Sequence, residues 1–188
     1  MRNVMLDLET FGRKSGCAIL SIGGCAFDDD KIGKSFYRVI SDPRGTVDMD
    51  TVKWWMRQSD EAREEFSNKE AVPHDRAIVD FYAFFVAKKA RYLWCRGASF
   101  DEPILRGAVG APPALWDYRD VRCVRTLYSV AGLQVFGAKE EKHVAVKDAV
   151  FQAEQAIIAL AMIRERRAAN VQRDVAAGRA NVVKRNGK

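Results

Sequence analysis

The N-terminal segment RNVMLDLETFG sets two carboxylates, Asp7 and Glu9, into an otherwise apolar run of Val4, Met5, Leu6 and Leu8. Such a run reads as a strand, and residues two apart on a strand point to the same face. Two anions on one partly buried face repel, and each raises the other's pKa. A hard divalent cation between them removes the conflict, because magnesium and manganese take oxygen ligands. The residues alone also fit a plainer arrangement, in which one carboxylate is solvated at an exposed strand end.

Two further stretches carry chemistry of the same kind. GASFDEPIL puts Asp101 directly after a short strand and at the opening of a helix, a frequent place for a functional side chain in an α/β sheet. An acid is also welcome at a helix N-terminus without any function. EKHVAVKDAVFQA brings His143 and Asp148, five positions apart, with the histidine in a loop and the aspartate opening a long helix. Histidine titrates near neutral pH and suits a general base. The chain has only one other histidine, His74, which follows Pro73 at a helix start and reads as a surface residue or cap.

Something must position these side chains. Residues 2–8, 17–27 and 34–40 read as three strands with short connections, hence antiparallel. The turn DDDKIG joins the second to the third, and SDPRG ends the third. A helix is expected over DTVKWWMRQSDEAREEF, with a second cap near Ser59, and a strongly amphipathic one over residues 72–89. In the latter Ile78, Phe81, Tyr82, Phe85 and Val86 fall at helical spacing. A short strand follows at 91–97, then a helix from Asp101 with Pro103 in its first turn. DVRCVRTLYSVAGL and KDAVFQAEQAIIALAMIRERRAAN both read as helices. Strands first, then helices alternating with further strands, predict an α/β sandwich on a mixed sheet.

Composition bounds the class. A chain of 188 residues with 48% apolar content fits one globular domain. No stretch approaches the roughly 18 apolar residues of a membrane span, and no signal-peptide core fits the start. The four cysteines, Cys17, Cys25, Cys95 and Cys123, form no C-x-x-C pair and read as reduced core residues of a cytoplasmic protein, Cys17 and Cys25 on one side of a strand. The net charge of +6 lies wholly in residues 164–188, where eight Lys/Arg face two acids. We therefore expect a neutral body over residues 1–163 and a basic helical extension over 164–188. Such a tail suits a polyanion, and equally a solvated helix end.

Taken together, DLET, SFDEPIL and HVAVKDAVFQA resemble the three motifs of the DEDD superfamily of 3′–5′ exonucleases, over about residues 3–160. The histidine before the last aspartate resembles the DEDDh, or DnaQ-like, group. TVKWWMRQS is similar to a phage and bacterial branch related to mycobacterial-type exoribonucleases, implying a bacterial or phage-infected cytoplasm. The resemblance implies a ribonuclease H-like fold, with a five-stranded mixed sheet of three antiparallel strands followed by parallel ones, flanked by helices. It implies that Asp7, Glu9, Asp101 and Asp148 hold two Mg²⁺ or Mn²⁺ ions and that His143 is the base. The activity implied is hydrolysis from the 3′ end of single-stranded RNA or DNA, releasing nucleoside 5′-monophosphates.

Leu8 and Thr10 would then hold the terminal sugar, and Phe11 and Phe100 would flank the terminal bases unless they serve as core. Trp54 and Trp55, adjacent on a helix, diverge by about 100°, so one is core while the other lines the substrate groove or a subunit interface. Lys142, Lys147, Arg13 and Lys14 are candidates for phosphate contacts. Ser99 departs from the asparagine many relatives carry there and would alter a sugar contact. A homodimer is a further expectation, since several relatives form one. The rival readings are a catalytically weak nucleic-acid-binding protein on the same fold and a metal-dependent phosphatase.

Overall fold

The computed structural model describes residues 1–134 and 143–177. Five strands make one sheet: β1 (Asn3–Thr10), β2 (Ile19–Phe27), β3 (Ile32–Val39), β4 (Tyr92–Cys95) and β5 (Val121–Cys123), in the order β3-β2-β1-β4-β5. β1, β2 and β3 pair antiparallel, while β4 and β5 run parallel to β1. The expected mixed sheet is the one observed. β5 corrects one expectation, because Val121–Cys123 forms a strand before the helix rather than part of it. With three residues it is too short to display an alternating pattern.

Helices cover both faces. On one side α3 (His74–Ala87) lays Ile78, Phe81, Tyr82 and Phe85 against Val4, Leu6 and Leu8 of β1, with α4 (Asp101–Arg106) beside it. Burying each such side chain stabilises the fold by about 1.5–3 kcal/mol. Val86 departs from the expected stripe and is exposed. On the other side α5 (Val124–Ala131) and the long α6 (Ala145–Ala176) pack against Met5, Cys25 and Phe27. The helix expected over residues 50–66 is broken into α1 (Met49–Trp55), a single turn α2 (Asp60–Arg63) and a 3-10 turn (Glu64–Ser67).

Cys17 also departs from expectation. It precedes β2 and packs on the α3 side, whereas Cys25 packs under α6. Three of the four cysteines are buried and Cys123 is half-buried; all are free thiols. His74 is not a surface residue. Its backbone N–H donates to Asp42 Oδ1 at 2.6 Å and its Nε2 lies 3.0 Å from the Val109 carbonyl, which lets the ring be fully buried. Among the described residues no helix is long and apolar enough to cross a membrane.

The seating of α6 depends on small residues. Ala145, Ala149, Ala153, Ala156 and Ala159 form a fully buried stripe at helical spacing. Opposite its first turn lies Gly23 of β2, which pairs with Asp7 of β1. A Cβ on Gly23 would stand 2.1 Å from the Ala145 carbonyl carbon and 2.4 Å from Val146 N. That is backbone and cannot swing away. Gly23→Ala should therefore push the start of α6 off the sheet, at a cost of about 2 kcal/mol. Because Asp148 rides on that turn, roughly tenfold of activity should go with it. Thermal unfolding and turnover of the variant check both; wild-type values would mean the helix start yields freely.

Candidate active site

β1 and β4 stay paired only as far as Leu6 and Cys95. Past that point β1 stays paired with β2 but not with β4, and on its β4-facing edge the Leu8 N–H donates to Asp101 Oδ1 at 3.2 Å. Asp101 thus sits at the first residue of α4, buried against the open flank of β1. Asp7 and Glu9 lie on the opposite face from Leu6 and Leu8, towards α6. From α6, Gln152 Nε2 donates to Asp7 Oδ1 at 2.7 Å. The Gln152 backbone carbonyl accepts from Tyr128 Oη at 3.0 Å, which ties this turn of α6 to α5.

One turn earlier on α6 comes Asp148. Its Oδ2 accepts from the His143 backbone N–H at 3.0 Å. His143 has φ of +71°, in the left-handed region that few non-glycine residues adopt. Its ring meets the edge of Trp54, with ring centroids 4.6 Å apart and planes at 83°. Glu9, His143 and Asp148 each offer a ligand atom within 4.8 Å of the others.

All five expected chemical residues line one hollow of about 470 Å³: Asp7, Glu9, Asp101, His143 and Asp148. It lies at the carboxyl ends of the parallel pair β1 and β4, the position where open α/β sheets bind ligands. An adjoining hollow of about 520 Å³ shares Leu8, Glu9 and Phe100 with it and adds Thr10, Arg13 and Trp54. Trp54 is 39% exposed there, while Trp55 is 2% exposed and donates from Nε1 to the Thr10 carbonyl at 3.0 Å. The two tryptophans diverge as helix geometry requires.

Other expected substrate residues fall elsewhere. Phe11 turns to Phe66, with centroids 5.5 Å apart, and lines neither hollow. Ser99 is exposed and lines neither hollow, and Lys147 is exposed on α6. Lys142 lies outside the described residues. Four residues of the carboxylate hollow were not among those expected from the sequence: Arg96, Arg125, Phe151 and Gln152. Gln152 stands four positions after Asp148, hence on the same helix face, and that spacing was the available signal.

The electrostatics are those of buried anions that the nearby Arg96 and Arg125 offset only in part. Burial pushes the Asp7 carboxyl well above the usual range, and Asp101 and Asp148 push it further, against the Gln152 hydrogen bond and the Arg96 charge. Burial raises Asp101 to about 7, although the Leu8 N–H bond and Arg125 oppose it. Oxygen donors held this close, at raised pKa, fit hard divalent cations.

This sheet order and this cleft define a DEDDh-type exonuclease fold. Two solved structures share it. One is exonuclease X in complex with 5′-overhanging duplex DNA, at TM-score 0.55 and 16% identity, covering 87% of this chain and 92% of that one. The other is the nuclease domain of 3′hExo, a DEDDh family member bound to rAMP, at TM-score 0.52 and 11% identity, with the same coverage of 87% and 92%. An exodeoxyribonuclease of Enterobacteria phage T4 is 30% identical over 125 residues, which is 56% of this chain and 54% of that protein. This chain thus matches about half the length of the phage relative. The sequence profile of the 3′–5′ exoribonuclease Rv2179c-like domain matches residues 2–160. The chain belongs to that family.

Proposed function

We propose that the protein removes nucleotides one at a time from the 3′ end of single-stranded RNA or DNA, releasing nucleoside 5′-monophosphates. The observation that carries this reading is the convergence of Asp7, Glu9, Asp101, His143 and Asp148 on one hollow, beside a second hollow lined by Leu8, Thr10, Trp54 and Phe100. The second hollow is the size of a nucleoside and offers the Trp54 and Phe100 rings to a base. A terminal nucleotide seated there puts its 5′-phosphate against Glu9, the residue both hollows share with Leu8 and Phe100.

Asp7, Glu9, Asp101 and Asp148 would hold a pair of divalent cations, magnesium or manganese, which when bound stabilise the attacking and leaving oxygens of an in-line displacement. The chain's own residues do the rest. Gln152 and the Leu8 N–H orient the Asp7 and Asp101 carboxylates. Asp148 anchors the His143 backbone, and Trp54 bears on its ring. His143 takes the proton from the attacking water, and a neutral imidazole at physiological pH is ready to do so.

The test is a degradation assay on 5′-labelled single-stranded RNA and DNA of equal sequence, with Mg²⁺, Mn²⁺ or EDTA. A cation-dependent ladder shortening from the 3′ end is expected, and the better-cut strand names the sugar. Intact strands under every cation would replace the reading with that of a binding protein on a nuclease fold.

The basic extension extends the same reading to affinity. α6 stays in contact with the body through Arg164, whose guanidinium donates to the Asp29 carbonyl at 2.9 Å, and Arg166, whose guanidinium lies beside Gly132. Residues 171–177 are exposed. Beyond Asn170 the chain carries Arg173, Arg179, Lys184, Arg185 and Lys188 against Asp174. Ending the chain at Asn170 should weaken oligonucleotide binding at moderate salt. The slope of log K against log salt should flatten by about 0.7 for each phosphate that the shortened chain leaves unneutralised. An unaltered slope would assign these charges another task.

A further inference from the structure

The carboxylate hollow contains two cations that the reaction as described above does not use. Arg96 follows β4 directly, and Arg125 is the second residue of α5, immediately after β5. Both are exposed, and both line the hollow with Asp7, Asp101 and Asp148. Among the described residues neither guanidinium closes an ion pair. Arg38, Arg44, Arg76, Arg106 and Arg119, by contrast, sit on carboxylates. Arg125 is also seated. Its guanidinium carbon lies 3.7 Å from the point where a Cβ on Gly97 would stand, and Gly97 holds φ of +123°. A side chain there would be strained by that backbone conformation and would stand in ordinary van der Waals contact with the guanidinium.

The sheet order says where these charges lie. Trp54 belongs to α1, whose Trp55 packs on Leu20 of β2. The nucleoside hollow is therefore on the β2 side of β1. Arg96 and Arg125 issue from β4 and β5, on the far side of β1. The carboxylates of β1 stand between. A chain whose last nucleoside fills the Trp54 hollow and whose scissile phosphate meets the carboxylates must carry its next phosphate towards β4 and β5. Free guanidinium forks suit phosphate oxygens there.

We propose that Arg96 and Arg125 form a subsite for the second phosphate from the 3′ end, the one on the 5′ side of the penultimate nucleotide. The proposal rests on the placement of the terminal nucleotide given above. It makes the enzyme distinguish an oligonucleotide from a mononucleotide by one phosphate contact rather than by base identity. Product release follows from the same arrangement, because a nucleoside 5′-monophosphate has no second phosphate and cannot engage the pair.

The experiment measures binding without turnover, in Ca²⁺, for wild type, Arg96→Gln and Arg125→Gln. The probes are a nucleoside 5′-monophosphate, a trinucleotide, and the same trinucleotide with a neutral methylphosphonate at its second linkage from the 3′ end. Wild type should bind the native trinucleotide about tenfold more tightly than the methylphosphonate form, as expected for a charge-assisted contact. In each variant that ratio should fall towards one, while mononucleotide affinity stays within about twofold. Turnover of the native trinucleotide by the variants should change in KM more than in kcat.

The subsite is refuted if the methylphosphonate costs wild type nothing. It is equally refuted if the variants weaken mononucleotide binding as much as trinucleotide binding, which would place the arginines on the scissile phosphate instead. Failure of the exonuclease reading looks different, because wild type would then leave every 3′ end uncut while the binding ratios remained measurable.

Discussion

Asp7→Asn should lose on the order of 10⁴-fold in turnover and yet give a cation-free protein that melts higher than wild type. The activity side follows from the chemistry. Removing one of the carboxylates that would hold the cations in the proposed reaction would forfeit several kcal/mol of transition-state charge stabilisation, and each 1.36 kcal/mol is tenfold in rate. The stability side follows from the geometry. Asp7 is enclosed under Gln152 on a face it shares with Asp101 and Asp148, and burial with these two anions raises its pKa well above the ordinary value. Asparagine keeps the oxygen that accepts the 2.7 Å bond from Gln152 and removes the charge.

The sign of the pH dependence can be worked out. A carboxyl whose folded pKa exceeds its unfolded one keeps a proton that the unfolded chain has already released, so stability falls as pH rises between the two values. For Asp101 that window runs from about 3.8 to about 7. Asp117, held down to about 2 by the Arg119 side chain and backbone, opposes only below the window. Cation-free wild type should therefore melt higher at pH 5 than at pH 8, and Mg²⁺ should close the gap. Asp7→Asn should raise the cation-free Tm more at pH 8 than at pH 5, because it removes a buried charge beside two other anions. Calorimetry at the two pH values, with and without Mg²⁺, decides it. A variant that is inactive because it has unfolded would remove the crowded-anion account.

How far the sequence revealed this site depended on the kind of signal each residue left. Asp7 and Glu9 stood out because charge interrupts an apolar strand, and the strand's period of two fixed their common face. The pairing of Asp7 with Gly23 and the alanine stripe of α6 then explain how Asp148 comes to the same face. Gln152 left a weaker trace, since a glutamine on a helix reads as part of a solvated face until its neighbour across the cleft is known. Arg96 and Arg125 were silent for a related reason: arginine is exposed by default, and only the parallel order β1-β4-β5 brings these two together. Phe11 misled in the opposite sense. It adjoins DLET in sequence, but the register shift after Glu9 and the contact with Phe66 carry its ring away from the carboxylates. His74 could not be placed from sequence because the partners that permit its burial, Asp42 and Val109, are both more than 30 positions away.

His143→Ala should reduce turnover by about 10²–10⁴-fold, the usual worth of a positioned general base, while leaving cation affinity nearly intact. The reduction should be larger at neutral pH than at high pH, where hydroxide replaces the base. The structure also makes the local fold a separate matter from the chemistry. His143 is tied down through its backbone N–H to Asp148 Oδ2, and alanine retains that bond. The ring's contact with Trp54 is an aromatic edge, not a strong tether. The imidazole therefore stands beside the hollow that Trp54 lines. A pH–rate profile and Mg²⁺ binding by calorimetry separate the outcomes. Turnover reduced to that extent, with normal Mg²⁺ affinity and a vanished acidic limb, identifies His143 as the base. Weakened Mg²⁺ affinity would make it a ligand with Glu9 and Asp148, whose donor atoms lie within 4.8 Å of its own. Near-normal turnover would leave the proton to another group in the hollow.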